Sequence, residues 1–182
     1  GWWLSTPTRS RPQRAVAPAD VAMLRNVARR TWRYFNDFVG EESAWLPPDN
    51  YQAAYGNGLA MRTSPTNVGL WLLSALGAND FGYLTGDEVI ERAAGSFETL
   101  KRLERYNGHL LNWYDLRTLT PLEPRYVSTV DSGNLLACLW TFDSGVQELL
   151  DEPILGPPAL HGLHDTLRVL GTALEKDNRF EA

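Results

Sequence analysis

The stretch RTSPTNVGLWLLSALGA, residues 62–78, decides the fold. Ser64 is placed to cap a helix and Pro65 to occupy its first position, where the missing N–H costs nothing. From Val68 to Ala78 almost every residue is apolar, so this helix should be buried on most sides, an inner one. It is also too short for a bilayer, which takes about 20 apolar residues. A second segment repeats the pattern. YVSTVDSGNLLACLW, residues 126–140, sets Ser128, Thr129, Asp131, Ser132 and Asn134 in front of leucines, Cys138 and a tryptophan. Ser128 and Asp131 have the spacing of a reciprocal capping pair, which leaves Thr129, Ser132 and Asn134 beyond what a cap needs.

Between and around these two lie amphipathic segments. Val21, Leu24, Ala28, Trp32, Phe35 and Phe38 recur at steps of three or four, predicting a helix over 19–39 with Gly40 as its stop. Thr85 and Glu88 form a capping box ahead of Val89, Ala93, Phe97, Leu100 and Leu103, an outer helix with one charged face. A buried-looking helix runs from Thr129 to about Leu150, and an amphipathic one follows Pro157 and Pro158. The aromatic stretch 108–126 reads as a short β-hairpin or an extended excursion. The order is outer, inner, outer, inner, outer, and short connections make consecutive helices antiparallel. The fold class is therefore mainly α, built from alternating inner and outer helical hairpins. Both inner helices should run the same way and open their N-termini on one face, bringing residues 62–67, 112–115 and 128–134 around a common concavity. Free N–H groups and positive dipole ends there suit a hydroxyl-rich ligand, and Trp113 and Tyr114 offer flat surfaces for a sugar ring. The competing reading of these residues is caps and core.

Composition sets the bounds. The chain has 182 residues, 43% of them apolar, enough for one core. Cys138 is the single cysteine and reads as a small buried hydrophobe. Residues 1–33 carry a net charge of +6 within a chain of net −5, so a basic start precedes an acidic body. No zinc-finger spacing or aromatic RNA motif accompanies the arginines, and no nucleic-acid partner is expected. His161 and His164 lack the Glu and third ligand of a zinc site, no phosphate-cradling Gly-rich loop is present, and no metal or cofactor is expected.

WLPPDNYQ, RTSPTNVGLWLLSALGANDFGYL and LERYNGHLLNWYDLRTLTPLEPRYVSTVDSGNL resemble, in that order, the central glucoamylase-like region of bacterial cyclic β-1,2-glucan synthases. The likeness runs from about residue 20 to 175, and WWLSTP followed by arginines resembles the juncture leaving that enzyme's membrane-bound glycosyltransferase part. The resemblance implies residues 1–18 as a basic arm and 19–182 as the N-terminal part of an (α/α)6 toroid. Such a ring needs about twelve helices, of which this chain supplies roughly five. It also implies a transglycosylating domain that acts on linear β-1,2-glucan, adjusting its length and cyclising it, on the cytoplasmic side of the inner membrane as part of a membrane-bound parent. The partners implied are the glucan and the remainder of that polypeptide, and the isolated chain should be inactive. A non-catalytic helical glycan-binding or assembly module is the alternative.

The catalytic pair cannot be placed from the sequence. Ser128, Thr129 and Asp131 resemble a Ser-Thr-x-Asp element of related β-1,2-glucanases, which makes Asp131 a supporting or sugar-binding carboxylate. Asp49, Asn50, Arg62, Thr63, Ser64, Thr66, Asn67, His109, Asn112, Trp113, Tyr114, Asp115 and Asn134 complete the residues expected to line or support the cleft. Arg62 has a second reading as the ion-pair partner of Asp131, and Glu123 reads as a surface charge.

Overall fold

The computed structural model describes residues 16–53, 58–151, 153 and 156–177. Most of the basic arm, residues 1–15, therefore lies outside the described residues. Five helices follow in the expected order: α1 (Pro18–Phe38), α2 (Pro65–Asp80), α3 (Gly86–Arg102), α4 (Thr129–Leu149) and α5 (Pro157–Asp177). Four two-residue strands intervene, β1 (Arg62–Thr63), β2 (Arg105–Tyr106), β3 (His109–Leu110) and β4 (Tyr114–Asp115).

The helix starts behave as their sequences dictate. Ser64 Oγ accepts from the Asn67 N–H at 3.3 Å, and Pro65 opens α2. Thr85 and Glu88 close a full capping box, with bonds of 3.3 and 2.7 Å. Ser128 Oγ accepts from the Asp131 N–H at 3.1 Å, but the return bond expected of Asp131 is not made, because its carboxylate turns to another partner described below.

α2 is the axis of the core. Val68, Trp71, Leu72, Ala75 and Ala78 are buried on it, and Trp71 lies at its centre. The Trp71 ring stacks on Trp32 of α1 at 5.9 Å between centroids, and its indole N–H donates to Ser96 of α3 at 3.0 Å. That satisfies the polar end of a fully buried indole. α4 runs parallel to α2. Gly69 lies against Cys138 and Leu76 against Gly145, pairs with the same offset in sequence, which only parallel helices in fixed register can produce. Gly69 is what permits the close approach, since an added Cβ would stand 2.8 Å from Cys138 Cβ.

α5 lies along α1. Asp165, buried on α5, pairs with Arg25 of α1 at 2.8 Å and accepts from the Tyr83 hydroxyl at 3.0 Å. An unpaired carboxylate at that depth would be costly, and these two donors offset it.

Two expectations are corrected. The hairpin is β2–β3, turning at Asn107 and Gly108, both with positive φ, so it begins ahead of the 108–126 stretch. Within that stretch β4 pairs antiparallel with β1 instead, Arg62 opposite Asp115 and Thr63 opposite Tyr114. α4 is not buried all round: of its residues only Cys138 and Phe142 are buried, while Val130 and Trp140 are each 70% exposed. Its apolar circumference exceeds the surface that α2 and α3 cover, and a helix buries only the faces its neighbours meet.

Candidate functional site

The parallel run of α2 and α4 puts their first turns side by side, and Asn134 Nδ2 ties them by donating to Thr66 Oγ1 at 3.1 Å. The β1–β4 pairing then draws Arg62 and residues 112–115 to the same end. Residues 62–67, 112–115 and 128–134 thus meet at one end of the helix pair, as the helix order predicts. Two carboxylates, Asp49 and Asp131, stand close to the positive ends of these helices, where negative charge is stabilised.

Asn112 is at the centre, 5% exposed. With its amide oriented to suit its neighbours, its nitrogen donates to Asp131 Oδ2 at 2.8 Å. Its oxygen accepts from the Trp113 indole N–H at 2.7 Å and the Tyr126 hydroxyl at 2.8 Å. Its backbone N–H donates to the Tyr126 carbonyl at 2.9 Å. This network gives Asp131 a fixed donor and holds the Trp113 ring in place.

The second cluster centres on Asp49. Its Oδ2 accepts from Arg62 Nε at 3.1 Å and Nη2 at 2.9 Å, and from Asn50 Nδ2 at 3.0 Å, while Oδ1 faces Asn67 Nδ2 at 3.4 Å. Arg62 does not pair with Asp131. Backbone bonds from Asp49 N–H to Ala60 O at 3.1 Å and from Ala60 N–H to Asn50 O at 2.9 Å hold Asp49 alongside Arg62. The guanidinium carbon lies 5.0 Å from the Trp113 ring centroid, so the arginine covers one face of the indole. Arg62, Asp115, Asn50, Gln52 and residues 58–61 border an open concavity of about 460 Å³.

Other expected site residues take different places. Tyr114 is 1% exposed, its hydroxyl accepting from the Leu111 N–H at 2.7 Å and donating to Glu104 O at 2.6 Å. Burial holds that phenol above its ordinary pKa, and no face is left for a sugar. Thr63, on β1, is buried, and among the described residues its Oγ1 has no hydrogen-bond partner. Ser64 and Ser128 are spent as caps, and Thr129 opens α4 at the surface. Asp115 accepts from the Thr118 N–H at 2.9 Å and the Arg117 N–H at 2.8 Å, bonds that hold its carboxyl below the usual range and shape the turn it begins. His109, on β3, lines a separate groove of about 390 Å³ between Phe97, Leu100, Ser132 and Leu135. Tyr126 was not among the residues expected here. It stands two places before Ser128 in the quoted string, but nothing in local spacing shows that its hydroxyl reaches Asn112.

No family model matches the chain. Over 176 residues, 96% of its length, it is 42% identical to the cyclic beta-(1,2)-glucan synthase NdvB of Rhizobium meliloti. The chain is similar to a segment of a cyclic β-1,2-glucan synthase. It spans 6% of that relative's length. The resemblance read from the quoted strings is borne out.

Solved structures share the fold at lower identity. A candidate glucoamylase from Bacteroides fragilis superposes with a TM-score of 0.56 at 17% identity, covering 78% of this chain and 37% of that one. An endo-β-1,2-glucanase from Chitinophaga pinensis, solved with sophorotriose and glucose, gives 0.57 at 15% identity, covering 74% and 36%. The fold is thus mainly α with glucoamylase-like neighbours, which bears out the expectation of part of an (α/α)6 toroid.

Proposed function

We propose that this chain supplies one wall of the substrate cleft of a carbohydrate-active enzyme, the glycan-transferring part of a cyclic β-1,2-glucan synthase, which acts on linear β-1,2-glucan to adjust its length and close it into a ring. The observation that carries this reading is the meeting of the α2 and α4 starts around Asp131, Asn112, Trp113, Arg62 and Asp49. Its polar groups are held by one another, beside an indole ring and an open concavity, which suits a neutral polyhydroxyl ligand. The similarity to the Rhizobium synthase and the glucan-complexed neighbour support the same substrate.

In this proposal Asp131 is a supporting carboxylate. A retaining transfer needs a nucleophile and an acid/base about 5 to 5.5 Å apart. Asp131, Asp49 and Asp115 are each engaged by neighbouring donors, which suits supporting roles, and in this proposal the pair belongs to the rest of the parent polypeptide. Placement on the cytoplasmic side of the inner membrane belongs to the parent in the same proposal. Among the described residues no helix is long and apolar enough to cross a membrane.

The test is to incubate the purified chain with linear β-1,2-glucan, measure binding, and analyse products by mass spectrometry. Binding without new chain lengths is expected, and Asn112→Ala, which frees both Asp131 and Trp113, should weaken binding at least threefold. A folded chain that binds no glucan would remove the cleft. New chain lengths above a blank would show that a complete catalytic pair is present.

A further inference from the structure

We propose that Arg62 is the specificity-determining donor of this cleft, reading the adjacent free 3- and 4-hydroxyls that a 2-linked glucose unit presents, and that Asp49 is the residue that positions it. The inference rests on the glucan reading above and adds the group that tells one linkage from another.

The guanidinium is fixed on two sides. Asp49 takes the Nε–H and one Nη2–H, at 3.1 and 2.9 Å, and the Trp113 ring covers one face at 5.0 Å. A guanidinium has five N–H donors in one plane, so these contacts leave the outer edge, where Nη1 and Nη2 each hold a parallel N–H. Among the described residues no protein acceptor meets that edge. The side chain is 50% exposed, and Arg62 borders the 460 Å³ concavity with Asn50 and Asp115. An arginine wanted only for an ion pair needs neither the stacking nor the open edge. One whose plane and edge are both set is a prepared fork, and preparation lowers the ordering cost of binding.

Two parallel donors match two acceptors on adjacent carbons. In a β-1,2-linked chain each internal glucose keeps its 3- and 4-hydroxyls together. In a β-1,3-linked chain the 3-oxygen is in the linkage, and the internal 2- and 4-hydroxyls are not adjacent. The fork therefore engages the first polymer at every unit and the second only at its non-reducing end. A site built to pair hydroxyls discriminates strongly against a ligand that cannot supply them, because its donors are then left desolvated without a partner.

The 182-residue chain, captured at low density on a sensor surface, should be titrated with linear β-1,2- and β-1,3-gluco-oligosaccharides of five units. The wild type is expected to favour the β-1,2 oligomer by about tenfold, the factor for one good pair of charge-assisted bonds. Arg62→Lys keeps the charge and loses the fork, so it should bring the ratio near one, with the far-UV circular dichroism unchanged. Arg62→Gln should do the same. Asp49→Ala should reduce the ratio at least threefold, a change that loss of stability alone does not produce. A ratio that survives in both Arg62 variants overturns the inference and leaves the glucan reading standing. Wild-type chain that binds neither oligomer overturns both.

Discussion

Replacing Gly69 by alanine sets two effects of opposite sign against each other. In a helix interior alanine is favoured over glycine by about 1 kcal/mol, so propensity alone makes Gly69→Ala stabilising. Packing opposes it. The new Cβ would stand 2.8 Å from Cys138 Cβ and 2.9 Å from its Sγ, with Leu135 Cα at 3.5 Å. Ordinary contact begins near 3.4 Å, so the helices must part by roughly 0.6 Å along a seam whose atoms sit on or next to the backbone. Overpacking of this kind costs about 1–3 kcal/mol, and the stiffness of these partners puts it towards the upper end. The net expectation is a loss of about 1–2 kcal/mol. Gly145→Ala is the control: its Cβ would meet the Leu76 methyls at 2.6 and 3.1 Å, the far end of a flexible side chain that can turn aside, so its net change should lie within about 0.5 kcal/mol of zero. Urea unfolding at low micromolar concentration, followed at 222 nm, measures both. Reaction of Cys138 with a chromogenic disulfide provides a second reading, because parting the helices exposes a thiol that burial now shields and whose pKa it raises. A Gly69→Ala chain that gains about 1 kcal/mol with unchanged thiol reactivity would refute the close parallel packing of α2 on α4, and with it the shared face at their starts.

Tyr34 and Tyr83 each have a pKa pushed up to about 12 from 10.0, by burial first in both cases, then by the Asp49 charge near Tyr34 and the Asp165 hydrogen bond at Tyr83. The folded value is the higher one, so their contribution to stability is complete below pH 10 and is lost between pH 10 and 12. Phenolate absorbance should show Tyr34 and Tyr83 titrating late, beside the buried Tyr114, and Asp49→Asn should move Tyr34 part of the way back. Asp165→Ala removes the carboxylate that Arg25 and Tyr83 share, and should cost about 2 kcal/mol in urea unfolding, less than breaking a fully buried pair because Arg25 keeps the Phe81 carbonyl at 3.0 Å and some access to water, and Tyr83 keeps the Arg25 carbonyl at 3.2 Å; an unchanged midpoint would show that the α1–α5 contact is not formed. Leu160, Leu163, Leu167 and Leu170 of α5 are 53–73% exposed and recur at steps of three and four, an apolar stripe unpartnered among the described residues and of the kind found at helix interfaces. Sedimentation velocity should show association that grows with concentration and weakens in Leu167→Lys, whereas a monodisperse monomer at all concentrations would contradict this.

What the sequence determined by itself is local. Ser64 with Pro65, Thr85 with Glu88, and the three-and-four spacing along α1 and α3 act within one or two turns, where chain connectivity already brings the partners together, and the helices start where these residues say. The nearly unbroken apolar run of 68–78, interrupted only by Ser74, likewise marks α2 as an inner helix. Which end of α2 meets which end of α4 was legible one step further, because alternation of inner and outer helices makes the inner ones parallel.

Tertiary structure alone decided the partners. Arg62 had carboxylates at 49, 115 and 131 to choose from, and pairing of the 49–50 backbone with Ala60 brought the first within reach. Trp113 and Tyr114 are neighbours with similar rings, but β4 pairs with β1, and side chains alternate across a strand, so one ring goes to the cleft side under Arg62 and the other into the core. Asp131 could have completed its own cap, as its spacing suggests, and instead faces Asn112, which arrives from 19 residues away with Trp113 and Tyr126 already bonded to it. A capping bond is worth about 1 kcal/mol wherever it forms, whereas a buried amide left without its acceptor costs about 1–3 kcal/mol. That balance is set by what is buried beside what, which no local pattern of residues contains.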